Sequence, residues 1–218
     1  MLMPMKCYTE IAAFFACFCA VPGIGVGQFS VSQQPSAAVP KNIHQIFIDD
    51  QAERTGKGAI PKYGPDVHAR DAVRRAETKS LLEAGELQSA QDFHDAAFIF
   101  QHGDSPDDYL LAHILAIEAI IKGDHSSKWI AAATLDRYLQ AIGQKQVFGT
   151  QYLSKSYLYI MQHRDDPNAM KSPEARQKGM TQEPYDRTLL SDALRGEFGV
   201  PGRAAQATKL DEIDAGSQ

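Results

Sequence analysis

After residue 19 this chain has no cysteine; its three are Cys7, Cys17 and Cys19. Everything downstream is therefore without a disulfide framework, a thiol nucleophile or a thiolate-held metal. A basic excess is also missing. The formal net charge is −5, with no stripe of lysine and arginine, which argues against nucleic acid as the main partner. The histidines stand scattered at 44, 68, 94, 102, 113, 125 and 163 and form no HxxxH or HExxH pair. No Asp-rich calcium loop, G-x-S-x-G elbow or phosphate-binding P-loop occurs either, so neither a metal nor a cofactor is expected. No apolar run reaches the length needed to cross a bilayer as a helix.

What is present at the start reads as an export signal. Lys6 is the single basic residue ahead of a short uncharged apolar run, Ile11 to Val21, and Gly25-Val26-Gly27 before Gln28 fits a small-x-small cleavage pattern. Residues 1–27 are expected to be removed, which takes Lys6 and Glu10 together and leaves the charge at −5. Export to the periplasm or the exterior follows. The alternative is a lipoprotein anchored at Cys17. Residues 28–41, rich in Ser, Gln, Pro and Ala, read as a flexible linker. A single domain over 42–202 and a disordered tail over 203–218 complete the organisation.

Five helices are expected to build the body of that domain, before a short one near its end. Ile43, Ile46 and Phe47 share a helical face, with Asp50 and Arg54 spaced as an i,i+4 pair. Asp66 caps a second helix that runs to Ala84, with Gly85 beyond it and Asp66–Arg70 and Asp71–Arg75 as further pairs. Ser89 and Asp92 form an acidic capping box for a third helix bearing Phe93, Ala96, Ala97 and Phe100. Ser105-Pro106-Asp107-Asp108 opens a fourth, apolar almost all round from Tyr109 to Ile121, the mark of a central buried helix. The fifth spans about Ser127 to Ile142 and stops at Gly143. Beyond it, 147–152 and 153–160 look extended, 163–184 reads as a polar surface excursion, and 186–198 as a final short helix.

Inside this apolar frame a few polar residues stand out, because each needs a partner or a task. His102 lies where the third helix ends, beside Gly103 and Asp104; it could serve as a general base or simply stabilise the last carbonyls. His113, in the most apolar helix, reads as a core histidine bonded to a carbonyl or carboxylate. Asp136 and Arg137 diverge by about 100° on a helix, so Asp136 should look elsewhere, with Arg54 and His102 as candidates. Gln146 to Gln151 could pin itself to the helices or line a cleft; Gly149 permits a positive φ, and Thr150 and Gln151 offer donors and acceptors.

The ordered set of Asp50-Gln51 with Arg54, Gln101-His102 with Asp104, Leu135-Asp136-Arg137, Gly143 with Gln146, Gly149-Thr150-Gln151, and the closing Arg195 to Pro201 resembles a mainly helical bacterial domain family of unknown function. The resemblance runs from about Ile43 to Pro201 and departs in the polar excursion after Tyr159. It implies no activity and marks positions only.

The expected fold is mainly α, an antiparallel bundle of about five helices in α-hairpins with a small extended or β-hairpin piece after Gly149. The expected function is a helical binding or interaction module with a polar groove around His102, Asp136 and Gln151. Its partner would be a peptide, a protein or a small-molecule ligand, and Arg54, Arg137, Gln146, Thr150 and Gln151 the contact residues. A hydrolase-like enzyme is the alternative, with His102 as base and Asp136 or Asp104 orienting it. A purely structural polar set is the third.

Overall fold

Asn42 opens the first helix, its side chain accepting from the Gln45 amide at 2.9 Å, and Gly56 closes it in the left-handed conformation. The computed structural model describes residues 42–56 and 66–216, which lie within one unit, Pro40–Gln218. The expected signal, linker and final two residues fall outside the described residues. So does the loop after Gly56.

Along α1 (Ile43–Thr55) one face changes character halfway. Ile43 and Ile46 are buried, and the next positions on the same face, Asp50 and Glu53, are buried as well. The apolar half packs on α3 (Ala90–Phe100), and the acidic half meets α2 (Val67–Glu83) through the latter's buried Asp71 and Arg74. The two salt bridges expected within α2 do not form. Arg70 turns to Glu53, and Arg75 turns to Asp104. Arg70 gains the buried carboxylate of Glu53, and Asp71 faces inward, where Arg54 and Arg74 take it and leave Arg75 to Asp104.

The next three helices follow one another through short links. Both capping boxes form, Ser89 with Asp92 on α3 and Ser105 with Asp108 on α4 (Pro106–Ile121). α5 (Lys128–Ala141) comes after a single 3-10 turn, His125–Ser127. α3 packs on α4 and α4 on α5, as short connections between helices require. The first core joins Ile43, Ile46, Ile99, Phe100, Ala112, Leu115 and Ile130. α4 is less buried than its composition suggests. Ala112, Leu115, Ala116 and Ala119 are inside, but Ile114 and Ile121 are 54% and 72% exposed. Helices cover it on two flanks and leave a third face open.

Beyond Gly143 the expectations need correction. Gln146–Gln151 is an irregular loop, and the extended stretch shrinks to β1 (Leu153–Ser154), which pairs antiparallel with β2 (Met180–Thr181). Residues expected to continue as strand form α6 (Lys155–Gln162), because Ser154 caps it by accepting from Tyr157 N at 3.1 Å. The excursion after His163 holds two 3-10 turns and returns to supply β2, with Ala169 and Gln182 buried. α7 is shorter than expected, Asp192–Glu197, since Asp186 spends its carboxylate on the Thr188 and Leu189 amides in a turn.

The tail expected to be disordered is instead helix α8, Arg203–Gly216. It is held by the buried Gln206 and by Asp214, which accepts from Met180 N at 2.5 Å. A second, smaller core forms around Ala132, Phe148 and Val200, with Leu135, Val147, Leu190 and Phe198 against it. The fold is mainly helical with a two-stranded hairpin. Among the described residues no helix is long and apolar enough to cross a membrane.

Candidate functional site

Two polar clusters divide the singled-out residues between them. The first surrounds the loop after Gly143. Asp136, fully buried on α5, accepts from Val147 N and Phe148 N at 2.8 and 2.9 Å through Oδ1, and from Thr150 N and Oγ1 at 2.9 and 2.8 Å through Oδ2. Its partner is therefore loop backbone, not Arg54 or His102. The carbonyls of the same two loop residues, Val147 and Phe148, go to Arg195 of α7, also fully buried, whose Nη1 donates to Val147 O at 2.8 Å and Phe148 O at 2.7 Å. A carboxylate takes the amides and a guanidinium takes the carbonyls, so the buried charges are screened by the loop's own dipoles.

The remaining groups close this arrangement. Gln146, also buried, donates through Nε2 to Gln151 O at 3.0 Å and to Gln182 O, and accepts from Gln151 N at 3.0 Å. Gln151 Nε2 donates to Ala133 O at 3.2 Å and Thr150 Oγ1 at 2.9 Å. Tyr185 Oη and Gln206 Nε2 both donate to Phe148 O, at 3.1 and 2.8 Å, and Gln182 Nε2 donates to Gly149 O at 2.6 Å. Gly149 sits at φ +79°, where a β-carbon would collide with Gln206 Oε1 and the Tyr185 ring. Of the two tasks open to this loop, pinning itself is the one its hydrogen bonds perform.

The second cluster lies where α1, α2, the C-terminal end of α3 and α5 converge. Arg54 bonds Asp50 (3.2 Å) and Asp71 (2.7 Å), and Arg74 bonds Asp50 (3.3 Å), Asp71 (2.9 Å) and Glu53 (2.5 Å). Arg70 pairs with Glu53, and Arg75 pairs with Asp104 while donating to the His102 carbonyl at 2.5 Å. Arg137 donates from Nη1 to Gln101 O at 3.3 Å, and Tyr109 Oη donates to Gly103 O at 2.8 Å. The Arg70 and Arg74 guanidiniums at its hydrogen bonds hold Glu53 down at about 2. Burial pushes Asp50 up, against the pull of Arg54 and Arg74.

His102 is the centre of this cluster. Its Nε2 is buried without a hydrogen-bond partner among the described residues and lies 3.8 Å from Asp50 Oδ2. Burial, then the charges of Arg54, Arg137, Arg74 and Arg75, depress the imidazole to about 2. It is a neutral ring at any physiological pH. Arg137 Nε and Gln140 Nε2, one turn apart on α5, are buried and unbonded in the same way.

The structure thus brings His102, Arg54 and Arg137 together and holds Asp136, Gln146, Thr150 and Gln151 in the loop cluster. Asp104 is exposed and engaged by Arg75, not by the His102 ring. His113 Nδ1 meets Ala131 O at 2.9 Å, the core bond expected of it. Sequence reasoning missed Glu53, Asp71, Arg74 and Arg195. Spacing carried a signal for the first three: 43, 46, 50 and 53 form one helical face, as do 67, 71, 74 and 78, so charges at 50, 53, 71 and 74 lie on faces that pack. For Arg195 spacing carried none; only its place in the closing Arg195 to Pro201 segment marked it.

Among the described residues no group of three His, Cys, Asp or Glu side chains is placed to hold a metal ion. Comparison with family models, with curated proteins and with solved structures finds no match to this chain.

Proposed function

We propose that this chain is an exported helical binding module whose partner, a peptide, protein or small molecule, docks against His102, Arg137 and Arg54. The groove expected around His102, Asp136 and Gln151 is thereby moved toward α1 and α2, since Asp136 and Gln151 are occupied in holding the loop. One observation carries this reading: among the described residues His102 Nε2 and Arg137 Nε are buried and unbonded in one cluster, whereas Arg195, whose Nε is also unbonded, spends its Nη nitrogens on Val147 O, Phe148 O and Leu190 O. Buried polar atoms without partners are rare in native proteins and destabilise by about 1 to 3 kcal/mol each, so their persistence asks for a bound partner. What supports export is sequence alone, the apolar run ahead of Gly25-Val26-Gly27 and cysteines confined to residues 1–19.

The hydrolase alternative draws on the His102 Nε2 to Asp50 Oδ2 approach of 3.8 Å. An imidazole that protonates only near 2 gives little drive for removing a proton at neutral pH, so binding is the stronger reading. The test is nuclear magnetic resonance mapping of the 15N-labelled domain titrated with a mixed short-peptide library. Shifts gathered at 101–103 and 137–140 are expected. Shifts confined to the open face of α4 around Ile114 and Ile121 would place binding elsewhere and overturn the reading.

A further inference from the structure

We infer that the group recognised at this site is a single anion, a carboxylate or a phosphate, gripped by the Arg137 guanidinium and completed by the His102 ring. The inference rests on the binding reading above and names its ligand chemistry. It starts from how the arginines of the second cluster are paired. Arg54 has Asp50 and Asp71, Arg70 has Glu53, Arg74 has Asp50, Glu53 and Asp71, and Arg75 has Asp104. Arg137 has no carboxylate within ion-pair distance among the described residues. A guanidinium carries five N–H donors, and among the described residues this one makes a single hydrogen bond, to Gln101 O at 3.3 Å.

Burial above all, and the charge of Arg54, hold the Arg137 pKa below the ordinary arginine value, against the pull of Tyr109. A buried cation with its Nε unbonded is expensive to maintain unless a counter-ion arrives. The nitrogens left over around it all point to the same chemistry. Arg137 Nε is a donor, Gln140 Nε2 three residues on is a donor, and His102 Nε2 is a donor in the tautomer that protonates it. Donors in excess call for a ligand made of acceptors. Carboxylate and phosphate oxygens fit the planar fork of arginine in a way that a neutral carbonyl matches only with one atom.

The surrounding acids do not supply that counter-charge. Asp50 is turned to Arg54, Arg74 and Gln51 Nε2, and Asp104 to Arg75. The Tyr109 hydroxyl, the other polar group facing Arg137, donates to Gly103 O. An arriving anion would also offset the positive charges of Arg54, Arg137, Arg74 and Arg75 that act on the neutral imidazole.

The experiment is calorimetric titration of the domain with inorganic phosphate and with acetate, with acetamide as the neutral counterpart of acetate. Wild type is compared with Arg137→Gln, Arg137→Lys, His102→Gln and, as a remote surface cation, Lys178→Gln. Saturable binding of phosphate and acetate over acetamide is expected, at least tenfold weaker in Arg137→Gln. Arg137→Lys, which keeps the charge and loses the fork, should fall between the two and remains informative should the glutamine variant not fold. His102→Gln should weaken binding several-fold, and Lys178→Gln should leave it unchanged. Equal binding by Arg137→Gln and wild type, or no saturable anion binding, would overturn the inference. Acetamide bound as well as acetate, with both lost in Arg137→Gln, would overturn the anion alone and keep the binding site; peptide shifts absent from 101–103 and 137–140 would remove the site itself.

Discussion

His102 and Asp136 show how differently two buried polar side chains can be employed. Asp136 accepts four hydrogen bonds, three of them from backbone amides. Asp136→Asn keeps the shape but turns one acceptor into a donor facing those amides. A loss of about 3 kcal/mol in denaturant unfolding is expected, the scale of charged hydrogen bonds removed from a buried site. His102 acts through pH. Its folded value of about 2 lies below the ordinary 6.5, so the unfolded chain binds the proton first. Its contribution is therefore whole above pH 6.5 and declines as pH falls from there toward 2, by at most about 1.4 kcal/mol per pH unit. Glu53, at about 2 against 4.5, adds its own decline only below pH 4.5. Unfolding followed from pH 7 to pH 5 should thus slope less in His102→Gln than in wild type, and identical slopes would contradict the buried neutral ring. Both residues were legible in the sequence as polar groups in need of a partner. The partners of Asp136 were not, because the amides that meet it come from an irregular loop whose path no periodicity encodes.

Among the elements, the capped helices were the legible ones. Ser89 with Asp92 and Ser105 with Asp108 are local signals, satisfied within four residues of sequence, and both boxes form. α6 and α8 were not legible. β-rich composition at 153–160 favoured a strand, and the cap at Ser154 overrode it. α8 has a polar sequence, and its place is fixed by Gln206 and Asp214 reaching partners more than thirty residues away at Phe148 and Met180. The loop between α5 and β1 depends on these distant contributions as much as on its own residues. Gly149→Ala forces a β-carbon at φ +79° into Gln206 and Tyr185 and should lower stability by about 2 to 4 kcal/mol, read as a fall in Tm. Little change would mean that the loop does not need its observed path.

The whole molecule is held at two centres, and α5 belongs to both. Ala131 lies in the core shared with α1, α3 and α4, and Ala132 in the one shared with Phe148 and Val200. A chain ending at Gly202 keeps the first core and removes Gln206 and Asp214 from the second. Its unfolding midpoint should fall, with faster proteolysis at 143–151 than in the full chain while α3 and α4 stay protected. Uniform proteolysis of both halves would show that the two cores melt as one.

The division of labour between the clusters is tested most directly by two neighbouring residues, Asp136 and Arg137, whose side chains diverge into different clusters. Urea unfolding at pH 7 of wild type, Asp136→Asn and Arg137→Gln compares them under one condition. Asp136→Asn should lose about 3 kcal/mol. Arg137→Gln should lose nothing or gain, because a buried cation without a carboxylate among the described residues is costly for the fold to maintain. Equal and large losses in both would contradict the account and return Arg137 to the structural frame.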